Sequence, residues 1–213
     1  MATHHRLPPP CILLLLLLFL SHLIFAAVGK ESRSSNKNDN LVRSSCVHAS
    51  YPGICLRTLS SYKGAVNSPR QLAQAAVKVS LARAQKVSAY LGSLIVSSGG
   101  KKKREQAALR DCVEQVGDSV DQLRKTLSEL KHLHRGGGAE FRWQMSNAET
   151  WVSAALTNED TCLDGFREVE PEPEPAGGKK VVGSDVKRKI TNVAKVTSNA
   201  LYLINRLDPQ TPI

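Results

Sequence analysis

The chain has 213 residues, with 29 Lys and Arg against 19 Asp and Glu, for a net charge of +10. That length fits one domain with tails and excludes a large multidomain enzyme. Five cysteines are an awkward number for an exported protein and an ordinary one for a cytosolic protein, so the fate of the N-terminus comes first.

Residues 1–29 read as a secretory signal peptide. His4, His5 and Arg6 form a basic start, Ile12 to Leu20 an almost all-Leu run, and Ala27-Val28-Gly29 the small residues before cleavage. The rival is a signal anchor, because only Ser21 and His22 interrupt the apolar stretch from Cys11 to Val28. Small residues directly after the apolar run favour cleavage. Removal takes away Cys11 and leaves Cys46, Cys55, Cys112 and Cys162, with a net charge of +9. An even cysteine count in a secreted chain reads as disulfides. The spacing does not match a zinc site, and neither a metal nor a cofactor is expected.

Residues 30–40 are polar and expected to be loose. Segment 41–62 carries Cys46 and Cys55 around Tyr51-Pro52-Gly53, a turn signal between two short helices. Ser68-Pro69 opens the first long helix, about 69–97, which is rich in alanine among Leu72, Val79, Leu94 and Ile95. Lys101–Arg104 then read as a basic connector. Helix 105–134 carries an apolar stripe of Leu109, Cys112, Val116, Val120, Leu123, Leu127 and Leu130. Gly136-Gly137-Gly138 break it. Helix 139–164 follows, with Phe141, Met145, Ala148, Val152, Ala155 and Cys162 on one face. The Glu/Pro-rich stretch 168–180 cannot pack. Ser184 is expected to cap a last helix, about 185–207, which is followed by a tail, 208–213.

The fold expected is all-α: an antiparallel up-down four-helix bundle preceded by a short disulfide-tied helical hairpin. Cys112 lies early in the second long helix and Cys162 late in the third. In antiparallel neighbours the two share one end, which selects Cys112–Cys162 and, by elimination, Cys46–Cys55. On the chain-entropy account the longer loop is worth roughly 4 kcal/mol and the shorter roughly 2.7 kcal/mol.

Little in the chain suggests catalysis. His132 and His134 bracket Leu133 at a basic helix end, which suits the helix dipole. No Gly-x-Ser-x-Gly, His-Glu-x-x-His or phosphate loop occurs. Asp111, Glu114, Asp118 and Asp121 line one helix face at i+3/i+4 spacing, as a solvated outer face or a contact surface. The basic runs, Lys101–Arg104, Lys131–Arg135, Lys179–Lys180 and Lys187–Lys189, lack interleaved aromatics. Secretion further disfavours nucleic acid. An anionic extracellular matrix is the better partner for such a chain.

Four blocks in order resemble the plant invertase and pectin methylesterase inhibitor family. They are the hairpin Cys46-Val-His-Ala-Ser-Tyr-Pro-Gly-Ile-Cys55; Ala108 to Cys112 with Asp118 to Leu123; Trp151-Val-Ser-Ala-Ala-Leu-Thr-Asn-Glu-Asp-Thr161-Cys162-Leu-Asp164-Gly-Phe166; and Ser198-Asn199-Ala200-Leu201. The resemblance implies a non-catalytic secreted protein of the apoplast or cell wall. It would block the substrate cleft of pectin methylesterase in a reversible 1:1 complex. Matched by motif, the enzyme contacts are Asp118, Asp121, Thr161 and Asp164. The family alternative is an inhibitor of cell-wall or vacuolar invertase. Such inhibitors use a Pro-Lys-Phe tripeptide in the loop between the second and third long helices, and this chain has none. A third reading, from charge alone, is a non-inhibitory protein held on anionic pectin by its basic connectors. After signal cleavage no membrane partner is expected.

Overall fold

The computed structural model describes residues 39–208 except 63, 65, 97–102, 135 and 168–181. The expected signal peptide, most of the polar segment after it, the Glu/Pro-rich loop and most of the tail therefore lie outside the described residues. Of two compact units, Leu41–Ile213 holds all but two of the described residues. Among the described residues every regular element is helical: α1 (residues 39–46), α2 (Pro52–Ser60), α3 (Pro69–Val96), α4 (Lys103–His132), α5 (Ala139–Arg167) and α6 (Val182–Asn205). No described helix is long and apolar enough to cross a membrane.

Each long helix forms along its apolar stripe, and α3 also has a capped start. Ser68 Oγ accepts from the Gln71 amide at 3.3 Å, and the Gln71 side-chain oxygen in turn accepts from the Asn67 amide at 2.8 Å. This reciprocal arrangement fixes the start of α3. Two starts differ from the sequence reading. Lys103 and Arg104 are the first residues of α4 rather than connector, and α6 begins at Val182, so Ser184 lies inside its first turn rather than at its cap. Between α4 and α5 the chain turns through Gly136 (φ 102°) and Gly137 (φ 69°), values that a side chain rarely tolerates.

The four long helices pack as a closed square: α3 on α4, α4 on α5, α5 on α6, and α6 back on α3. Leu72, Leu91, Leu109, Leu123, Leu130 and Ile204 are among its fully buried side chains. In α3 the inward positions are Val77, Ala84, Val87 and Leu91, while Val79, Leu94 and Ile95 are only half-buried. Buried Ala73, Ala75, Ala76 and Ala84 let the neighbouring helices approach closely.

The carbonyls at the end of α4 have no partner within their own helix. Arg70 of α3 supplies three donors, to Leu130 O at 2.8 Å, Lys131 O at 2.7 Å and Leu133 O at 2.8 Å. Gln144 of α5 closes the other side, accepting from the His134 amide at 2.8 Å and donating to His132 O at 3.3 Å. Three helices thus meet at one end through groups that would otherwise be stranded.

Cys112 is joined to Cys162, with Cα atoms 4.5 Å apart, and Cys46 to Cys55, at 5.6 Å. α2 docks on α3 and α6, and the Cys46–Cys55 bond ties α1 to it. Buried Asn199 of α6 clamps this hairpin, accepting from the Tyr51 amide at 2.9 Å and donating to Tyr51 O at 3.1 Å. Removing that side chain strands two backbone groups. Asn199→Ala is therefore expected to cost about 1–3 kcal/mol, with amide-exchange protection lost first in residues 41–60. Uniform loss of protection across the bundle would show that the clamp is not local.

Candidate interaction face

The proposed contact residues lie on α4 and α5, whose antiparallel register is fixed by three facing pairs. Asn158 donates to Gln122 at 3.0 Å, Asn147 to Glu129 at 3.5 Å, and Lys125 stacks over Trp151 at 4.3 Å. Asp118 lies four residues before Gln122, and Thr161 three residues after Asn158. Because the helices run oppositely, both steps go toward the Cys112–Cys162 end. Asp118 and Thr161 therefore sit one turn beyond the Gln122–Asn158 bond, on either side of the same groove. Asp164 is a further turn along α5, and Asp121 is rotated outward on α4. All four are exposed, as are Asp111 and Glu114.

Their local partners leave this face available. Arg124 donates to Asp121 at 2.5 Å and Arg167 to Asp164 at 2.7 Å, both exposed i,i+3 pairs. Such pairs contribute little to stability, and each occupies one carboxylate oxygen. The Thr161 hydroxyl donates back to Thr157 O at 2.8 Å, which leaves its lone pairs to accept. The rim offers acceptors, and it suits a partner that brings Lys, Arg or hydroxyl donors. Among the described residues no group of three or more His, Cys, Asp or Glu could hold a metal ion.

Directly beneath the rim lies Glu159, with no solvent exposure. Its Oε1 accepts from Ser119 Oγ at 2.6 Å and from Thr197 Oγ1 at 3.0 Å, and the Thr197 hydroxyl meets the Ser80 hydroxyl at 2.5 Å. One residue from each long helix thus enters a single polar layer. The sequence reading missed it, although the signal was present. Ser80, Ser119, Glu159 and Thr197 each interrupt an apolar stripe at an inward position, as in Val152, Ala155, Glu159, Cys162, Phe166.

Burial is the main reason the Glu159 carboxyl rises from its ordinary 4.5 to about 7; the Ser119 and Thr197 bonds act against that rise, and Asp160 reinforces it. The folded chain therefore keeps a proton that the unfolded chain has lost. Stability is full below pH 4.5, falls as pH rises to about 7, and levels off above that. Glu159→Gln is expected to remove this slope. Between pH 4.5 and pH 8 the stability difference should move in favour of the variant by on the order of 3 kcal/mol. Denaturant unfolding at both pH values measures it, and equal slopes would assign the dependence elsewhere.

The family model described as plant invertase/pectin methylesterase inhibitor matches residues 40–203. A relative named "Pectinesterase inhibitor 3", from Arabidopsis thaliana, is 53% identical over 189 residues, covering 87% of each chain. The "21 kDa protein" of Daucus carota is 39% identical over 191 residues, covering 87% of this chain and 93% of its own. A crystal structure of a mutant pectin methylesterase inhibitor from Arabidopsis covers 78% of this chain and 94% of its own. Its TM-score is 0.58 at 22% identity, a likeness of fold.

Proposed function

The chain belongs to the plant invertase/pectin methylesterase inhibitor family, and from that premise we propose that it inhibits pectin methylesterase by covering the enzyme's substrate cleft in a reversible 1:1 complex. It is an inhibitor, not an enzyme, and no bond is made or broken on it. The observation that carries this reading is the placement of Asp118 and Thr161 across the α4–α5 groove, above a layer that ties both helices to the core.

A rim of this kind is preorganised. α4 and α5 are joined by the Cys112–Cys162 bond at one end and share the Gln144 bonds at the other. Little side-chain ordering remains to be done when the enzyme arrives, which favours affinity without a large interface. Asp118, Asp121, Thr161 and Asp164 would accept from the enzyme, and Trp151 with Lys125 would extend the contact along the groove. Secretion to the apoplast accords with two disulfides and with the leader read from residues 1–29.

The invertase reading has less support. Where a Pro-Lys-Phe tripeptide would be needed, the chain turns through Gly136 and Gly137. Retention on anionic pectin is compatible with inhibition, but of the connectors first assigned to it, Lys101-Lys102 and Lys179-Lys180 lie outside the described residues.

Methanol release by plant pectin methylesterases, titrated with the oxidised protein, is the deciding assay. Stoichiometric inhibition is expected, with no effect on invertase in a parallel titration. Asp118→Asn with Thr161→Ala should weaken inhibition by about tenfold or more, with unfolding nearly unchanged because both sites are exposed. Inhibition of invertase alone, or of neither enzyme between acid and neutral pH, would overturn the reading.

A further inference from the structure

The α3–α6 seam lies on the opposite side of the square from the α4–α5 rim. It opens into a cleft of ≈ 300 Å³ walled by Arg83, Lys86, Arg188 and Lys189, with Asn192 between them and an apolar floor. No acid lines it. The adjoining carboxylate, Asp185, takes a bond from Arg188 at 3.2 Å. The positive charge of the chain is therefore not confined to connectors and helix ends, since four cations from the bodies of two helices converge here.

Several of these cations are held in place. Arg83 donates to the Asn192 side chain, and the Lys189 ammonium lies 4.7 Å from the Tyr90 ring. Burial, and then the nearby Arg57 of α2, lower the Arg83 pKa from its ordinary value. Like charges are thus crowded together on the free protein. A cleft of one sign over a low-dielectric floor concentrates anions, and a guanidinium fork suits a carboxylate. Arg83 and Lys86 on α3 face Arg188 and Lys189 on α6, so a carboxylate that enters the cleft meets cations from both walls.

We propose that the α3–α6 cleft binds the carboxylates of de-esterified pectin. The choice of polyanion rests on the inhibitor reading, because removing methyl esters from pectin is what creates those carboxylates. With the cleft and the rim on opposite faces, one inhibitor holds the polymer and the enzyme together. It collects where the enzyme has already acted.

The test uses the full oxidised chain and binding isotherms with four probes: polygalacturonate, the same polymer fully methyl-esterified, phosphatidylserine vesicles and single-stranded DNA. Polygalacturonate is expected to bind and to be released by salt, and the esterified polymer not to bind. Lys86→Gln with Lys189→Gln should weaken that binding by about tenfold, and Lys78→Gln with Lys131→Gln, away from the cleft, by less than about twofold. Thermal unfolding monitors folding, and Lys86→Gln alone replaces the pair if the pair unfolds. Four results would each overturn the site: wild-type affinity in the cleft variant, an equal loss in the control, equal binding of the esterified polymer, or tighter binding of DNA or vesicles through the same lysines. Enzyme inhibition on a short soluble substrate should be unchanged in the cleft variant. If the wild type inhibits no pectin methylesterase yet binds polygalacturonate through the cleft, the inhibitor reading falls and the site stands.

Discussion

A buried carboxyl group must find partners, and in this bundle Glu159 finds them on its neighbours. A core of Leu, Val and Ala fits together in several registers at similar energy, because apolar contact is not directional. The layer of Ser80, Ser119, Glu159 and Thr197 is directional. Sliding any one long helix by a turn would leave a polar group without a partner in an apolar core, at a cost of a few kcal/mol. The layer thus selects one register, and the Cys112–Cys162 bond holds α4 and α5 to it. Glu159 Oε2 is buried with no partner among the described residues, and burial is the main reason the group favours its neutral form.

That register determines what the outside of the bundle presents. Asp118 is the immediate neighbour of Ser119, and Thr161 lies two residues from Glu159. The layer that fixes the core therefore also fixes the α4–α5 rim. On the far side, Arg83 is three residues from Ser80 and Asn192 five from Thr197, so the same layer sets the height of the basic cleft. At a similar height, with the core between them, the far face gathers cations while the rim pairs Asp121 and Asp164 with Arg124 and Arg167. A net charge of +10 therefore describes neither face.

The parts of this arrangement that could be read from sequence are those written in short-range pattern. Helix stripes recur every three or four residues, Ser68-Pro69 marks a start, and three glycines mark a turn. Even Cys112–Cys162 follows once two helices are taken as antiparallel. The parts that could not be read join residues far apart. Arg70 meets carbonyls some 60 residues away, and Asn199 meets Tyr51 across 148. Each is a polar side chain bonding to backbone, and a backbone partner leaves no trace in composition. Arg83 and Lys86 carry no signal of a cleft in the sequence, because the cations that complete it come from α6. Ser184 is a good cap by type, yet α6 begins two residues earlier, at Val182.

Asn199 holds the front hairpin by the Tyr51 peptide group and not by its side chain. A peptide group is the same in every copy of the chain. The clamp therefore does not distinguish its own hairpin from that of a neighbour, and selection falls to the tether between Ser60 and Pro69. A short tether gives an effective concentration of roughly millimolar order, so in dilute solution the chain's own hairpin wins by proximity alone. Whether the molecule stands alone or exchanges arms with a second copy is thus governed by tether length and protein concentration, and the bonds formed are identical in both states.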